Sequence, residues 1–191
     1  VEVTYARGCP LAVSTPGAPA GRGPNGRPGR PGQNNAIGSP DTTGPGSPEY
    51  QQAMDAAKNA DVIIYVGGIS ARLEGEQMRV SAVGFDGGDR TRIELPQVQE
   101  DLLKAVNALG KPVVFVNCSG SAMAIPWEKA HLAAILQAWY PGENGGTAVA
   151  DVLLGRYNPA GRLPVTFYAS TADLPDFQDY SMANRTYRYY K

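Results

Sequence analysis

Three short apolar runs, DVIIYVGG at 61–68, VVFVN at 113–117 and AAILQAWY at 133–140, set the narrowest limit on how this chain folds. Each is apolar at consecutive positions, so both of its faces call for burial, as in the strands of a parallel sheet, and VIIYV is expected as a central one. Helical patterns separate them. Ser47 offers a capping hydroxyl and Pro48 a first helical position, and Tyr50, Ala53, Met54 and Ala57 follow at helical spacing. A second helix opens at Pro96, with Val98, Leu102, Ala105, Val106 and Leu109 on one side, and is closed by Gly110, Lys111 and Pro112. A short helical stretch runs from Trp127 to Leu132, and another helix from Thr147 to Leu154 is closed by Gly155. RLPVTF at 162–167 reads as a further strand, with Pro164 marking it as an edge. Alternating strands and helices of this kind predict an α/β fold: a mostly parallel sheet with helices on both faces.

The 191 residues suit one domain, or a large piece of one. Residues 1–9 alternate Val1, Val3 and Tyr5 with polar or small neighbours, which is strand periodicity. From Pro16 to Pro48 about half of the residues are Gly or Pro, a density that predicts an extended loop or insertion. Glycine recurs every third position there for a few triplets only, whereas collagen needs that period sustained. The 17 basic and 18 acidic residues leave a formal net charge of −1, so no electrostatic footprint for nucleic acid is expected. No apolar run is long enough to span a bilayer, no polybasic tract suits an anionic membrane, and no secretory signal opens the chain. Cys9 and Cys118 each end an apolar run and are expected as buried free thiols. With the single His131 they cannot assemble the usual zinc ligand sets, so neither a metal nor another cofactor is expected.

In parallel sheets ligands collect beyond the carboxyl ends of the strands. Three such ends are rich in small and polar residues: Gly67-Gly68-Ile69-Ser70, Asn117-Cys118-Ser119-Gly120-Ser121, and Trp139-Tyr140-Pro141-Gly142-Glu143-Asn144. The first leads into a long polar loop that carries two carboxylates one residue apart, Glu74 and Glu76. Trp139 and Tyr140 fit either core packing or an exposed platform for a sugar ring. Ser119 and Ser121 lack an evident catalytic triad, and neither a G-x-S-x-G elbow nor a phosphate-binding glycine loop is present. Asp86 and Asp89 in FDGGD have the wrong spacing for a calcium loop and are expected to flank a turn built on Gly87-Gly88.

Four segments resemble a known family when taken together and in order: DVIIYVGGISARLEGEQM with GFDGGDRTRIELPQVQEDLL, KPVVFVNCSGSA, AILQAWYPGENGGTAVADVLLGRYNPAGRLPVTFY, and LPDFQDYSMANRTYRYY. The family is glycoside hydrolase family 3, and within it the β-xylosidase and β-glucosidase group. The likeness runs from about Asn59 to Tyr190, and residues 1–9 are similar to the strand that precedes this region. The segment at 16–48 matches nothing expected of the family. The resemblance implies one α/β sandwich domain over 1–191, incomplete on its N-terminal side, and hence a fragment of a larger enzyme. The barrel domain of that parent enzyme is implied as a partner, and it would supply a nucleophilic aspartate.

It also implies a retaining, exo-acting β-glycosidase that hydrolyses terminal β-linked sugars of oligosaccharides or aryl glycosides, in the periplasm or outside the cell. By position in the motif, Glu76 is the implied general acid/base and Glu74 the second candidate. Met78, Asp89, Arg90, Trp139 and Tyr140 are the implied substrate-binding or loop-supporting residues. Gln77 stands where members often carry a second acidic residue. Two readings from other classes remain open. One is a non-catalytic module that binds carbohydrate or docks a partner. The other is a flavodoxin-like binder, which rests on fold analogy alone and lacks a phosphate loop.

Overall fold

The computed structural model describes residues 1–16, 37–38, 43–75 and 80–190. Strands β1 (Ala12–Val13) and β2 (Ile37–Gly38) form a short parallel pair. Helix α1 (Pro48–Asn59) begins where Ser47 Oγ accepts the Tyr50 N–H at 3.2 Å. Strand β3 (Ile63–Gly68) follows, then a hairpin of β4 (Phe85–Asp86) and β5 (Asp89–Arg90). Helix α2 (Gln97–Asn107), strand β6 (Val113–Cys118), helix α3 (Pro126–His131), strand β7 (Ala134–Gln137) and helix α4 (Gly145–Leu153) complete the regular elements, before a 3₁₀ turn at Thr171–Asp173.

The main sheet is parallel and ordered β3-β6-β7. The chain is therefore α/β with a mostly parallel sheet and helical connections, as its strand–helix alternation predicts. Register pairs Tyr65 with Phe115 and Phe115 with Ile135 on one face of the sheet. That face carries the core, in which Phe115, Leu73, Leu102, Leu103 and Met123 are fully buried. Tyr65 meets Phe115 edge to face at 5.8 Å. On the opposite face Ile64 and Val66 are more than half exposed.

Four expectations need correction. Residues 1–9 form no strand, and Val1, Val3 and Tyr5 stay exposed. RLPVTF is likewise irregular, with Leu163 and Val165 half exposed. Alternation specifies which side of a segment is apolar, but a strand exists only where a neighbour completes its ladder. The run through Trp139-Tyr140 is strand only as far as Gln137, because Trp139 turns to φ 58°. VIIYV takes an edge of the described sheet rather than its centre, which belongs to β6. In the Pro/Gly-rich segment, residues 17–36 and 39–42 lie outside the described residues, while Ile37–Gly38 pairs with β1. Among the described residues no helix is long and apolar enough to cross a membrane.

One buried polar side chain ties the layers together. Gln99, on the inward side of α2, accepts the Gly68 N–H at 2.7 Å and donates to the carbonyls of Gly68 and Leu11, each at 2.6 Å. Gly68 stands at the end of β3 and Leu11 just before β1, and the partner of these groups comes from a side chain and not from a strand ladder. A single amide supplies both a donor and an acceptor there. It fixes the point at which the chain leaves the sheet for the Glu74 loop.

Candidate active site

The carboxyl ends of β3, β6 and β7 lie side by side, and the loops beyond them meet at Glu74. After β3 the chain turns at once: the N–H groups of Leu73 and Glu74 both donate to the Ser70 carbonyl, at 2.8 and 3.0 Å. Leu73 is buried in the core directly before the carboxylate. Apolar anchoring thus delivers Glu74 to the rim of the sheet. Its Oε2 accepts the Gly120 N–H at 3.1 Å and the Tyr140 hydroxyl at 2.8 Å. Its Oε1 accepts the Ser121 hydroxyl.

The turn that carries Gly120 and Ser121 is held from beneath by a relay of neutral polar groups. Asn117 Nδ2 donates to Gln137 Oε1 at 2.7 Å, and Gln137 Nε2 donates to Ser119 Oγ at 3.0 Å. Ser119 Oγ in turn donates to the Ser121 carbonyl at 2.7 Å. Asn117 and Ser119 are wholly buried and Gln137 is partly so, which places the relay beneath the rim of the sheet. The Asn117 Oδ1 atom is buried without a hydrogen-bond partner among the described residues.

Arg90 closes the other side. The hairpin turn that presents it has Gly87 and Gly88 at φ 60° and 100°, the left-handed conformations that a two-residue turn of this type requires. The guanidinium donates to Ser121 Oγ at 3.0 Å, the Ala122 carbonyl at 2.7 Å, the Arg92 carbonyl at 3.2 Å and the Glu94 carbonyl at 3.4 Å. Burial lowers the pKa of Arg90, while the charges of Glu74 and Glu94 pull it back up. Glu94 accepts the backbone N–H and the hydroxyl of Thr171, at 2.8 and 2.7 Å, which fastens the C-terminal segment beside the hairpin. An open cleft of about 320 Å³ lies among Glu74, Gly88, Asp89, Arg90, Ile93, Ser121 and Ala122.

The residues singled out from the sequence do not all meet here. Glu74, Arg90 and Tyr140 share the network, and Asp89 lines the cleft with its side chain exposed. Trp139 is half buried and meets Phe167 edge to face at 5.9 Å. Glu76 and Met78 lie outside the described residues. His131 stacks on Trp127 at 4.6 Å, away from the strand ends. Cys9 and Cys118 are free thiols, half buried, and Cys9 shares a 3.3 Å hydrogen bond with the Tyr65 hydroxyl. Sequence reasoning passed over Gly120, Ser121 and Gln137 as functional partners. The small, polar composition of 117–121 was the available signal, but only the fold puts that segment against Glu74.

The profile of the Glycosyl hydrolase family 3 C-terminal domain matches residues 7–191. A xylan 1,4-beta-xylosidase of Xylanibacter ruminicola is 57% identical over 142 residues, which is 74% of this chain and 16% of that protein. A periplasmic beta-glucosidase of Salmonella typhimurium is 38% identical over 145 residues, 75% of this chain and 18% of that protein. The crystal structure of a beta-glucosidase from Kluyveromyces marxianus in complex with glucose superimposes with a TM-score of 0.61 at 29% identity, covering 74% of this chain and 17% of that one. The chain thus spans less than a fifth of the length of the relatives it matches. Its parallel sheet, its strand-end cleft and these likenesses agree: the chain belongs to the C-terminal domain family of glycosyl hydrolase family 3.

Proposed function

We propose that this chain supplies the general acid/base to a retaining, exo-acting β-xylosidase or β-glucosidase. The observation that carries the reading is the placement of Glu74: the segment after β3 brings it into an open cleft at the ends of β6 and β7. Retaining hydrolysis of a glycoside needs two carboxyl groups about 5–5.5 Å apart. One attacks the anomeric carbon, while the other protonates the departing oxygen and then activates water. Glu76, two residues beyond Glu74, is the proposed acid/base, with Glu74 the second candidate. The nucleophilic aspartate belongs to a barrel domain elsewhere in the parent enzyme. Asp89, Arg90, Met78, Trp139 and Tyr140 bind substrate or support the loop.

A half-built site does no chemistry, because the acid needs the nucleophile's charge and a dry pocket to keep its proton near neutral pH. The chain on its own is therefore inactive. We place the parent enzyme in the periplasm or outside the cell, where long β-linked polymers are met. The whole of 1–191 acts as one α/β sandwich domain, with 16–48 as an insertion in it.

The parent enzyme carrying Glu76→Ala tests the reading. Aryl glycosides with poor leaving groups should lose about 10²- to 10⁴-fold in kcat/KM, the range that general acid catalysis supplies. Substrates that need no proton should lose much less, and added azide should restore their turnover. Equal loss on both substrates without azide rescue would refute the assignment.

A further inference from the structure

Two glutamates one residue apart invite the assumption that they are interchangeable candidates for one task. The surroundings of Glu74 argue against it. Both of its oxygens are taken up by donors on rigid supports: the Gly120 N–H and the Tyr140 hydroxyl on Oε2, and the Ser121 hydroxyl on Oε1. Ser121 Oγ also accepts from Arg90 at 3.0 Å, which leaves its own hydrogen for Glu74. A carboxylate engaged at both oxygens by fixed donors is held in one place. A general acid must instead reach the leaving oxygen of the substrate.

The donors are held in place at a cost elsewhere. Tyr140 follows Trp139, whose φ of 58° is uncommon for a bulky residue and persists only where the surroundings enforce it. The Trp139 ring is set against Phe167, and Ala138 N–H donates to the Asn117 carbonyl at 2.8 Å, so the turn is fixed on both sides. Burial and the Glu74 carboxylate both push the Tyr140 pKa up, which keeps its hydroxyl protonated and able to donate.

We propose that Glu74 is a positioning residue: a hydrogen-bonded anchor, held by Tyr140, Ser121 and Gly120, that pins the loop after β3 to the ends of β6 and β7. Tyr140 acts through Glu74 and not on the sugar. This rests on the assignment of proton transfer to Glu76, and it divides the labour of the two glutamates.

The test uses the full-length parent enzyme as Glu74→Gln, Tyr140→Phe and the double variant. Glu74→Gln should lower kcat about 10- to 100-fold, as expected for a misplaced catalytic group. Azide should not restore activity, and the alkaline limb of the pH profile should stay, because the proton donor is still present. Tyr140→Phe, which keeps the ring, should show a weaker form of the same defect. The double variant should be no worse than Glu74→Gln, since the two side chains form one unit. Amide exchange at Gly120 should quicken about tenfold or more in Glu74→Gln, whatever the kinetics. Azide rescue of Glu74→Gln together with loss of the alkaline limb would overturn the proposal and make Glu74 the proton donor. Unchanged kinetics with unchanged exchange at Gly120 would overturn it too, leaving Glu74 a solvated charge. If Glu76→Ala is silent while the Glu74–Tyr140 coupling and the Gly120 exchange behave as described, the acid/base assignment fails and the anchor stands.

Discussion

Gly120 lies so close beneath the Tyr140 ring that a β-carbon on it would stand 2.6 Å from Cε2 of that ring. The same β-carbon would stand 2.8 Å from Glu74 Oε2. The backbone of Gly120 is not in the left-handed region, so glycine serves here for space and not for conformation. The close approach lets one backbone N–H and one phenol share a carboxylate oxygen.

Gly120→Ala therefore should disturb the site while sparing the fold. The added methyl must displace either Tyr140 or Glu74, both of which sit at the rim of the sheet. We expect kcat of the parent enzyme to fall about tenfold or more, with little change in Tm, because a misplaced group costs rate before it costs stability. Steady-state kinetics with a thermal melt on the same sample checks this. A large loss of Tm with kcat intact would contradict it.

Gln99→Leu should do the opposite. Gln99 is 1% exposed, and its amide is the shared partner of the Gly68 N–H and of two carbonyls. Leucine fills similar space but leaves those three backbone groups in the interior with one partner fewer. A buried donor or acceptor left unsatisfied costs about 1–3 kcal/mol, so the variant should lose on the order of 3 kcal/mol in urea unfolding. A loss below about 1 kcal/mol would show that water reaches the end of β3.

Glu128 makes the domain sensitive to pH. The side chain is 2% exposed on α3, and its Oε1 is buried without a hydrogen-bond partner among the described residues. Burial raises its pKa above the usual 4.5, with Glu100 adding to the rise and Lys104 and His131 opposing it. A carboxyl whose folded pKa is raised takes up its proton more readily in the folded state. Its burden on stability is thus absent below the unfolded value and grows as pH rises through the folded one. Glu128→Gln should raise Tm at pH 7, leave it nearly unchanged at pH 4, and flatten the slope between. Equal shifts at both pH values would mean that packing, not ionisation, sets the effect.

The strands themselves were legible because they follow from local composition, but burial of both faces was not, since Ile64 and Val66 are more than half exposed. VVFVN is the middle strand, and Ser47-Pro48 starts a helix at the position the two residues dictate. The turn at Gly87-Gly88 was legible for the same kind of reason, since two left-handed residues in succession favour glycine. VEVTYARGC and RLPVTF misled because periodicity describes a surface and says nothing of what lies across from it. Trp139 misled because an apolar run gives no sign of where strain will break it.

The amino-acid order alone determined that three apolar strands with helical connections would form a parallel sheet, and that polar loops would gather at its carboxyl edge. It also marked Glu74 and Glu76 as the carboxylates to watch. Only the tertiary structure decided that Glu74 meets Gly120, Ser121 and Tyr140, which stand 46, 47 and 66 positions away along the chain. Hydrogen bonds depend on distances of a few ångströms and on direction, and residues so far apart in sequence acquire both only when the strands beneath them are in register.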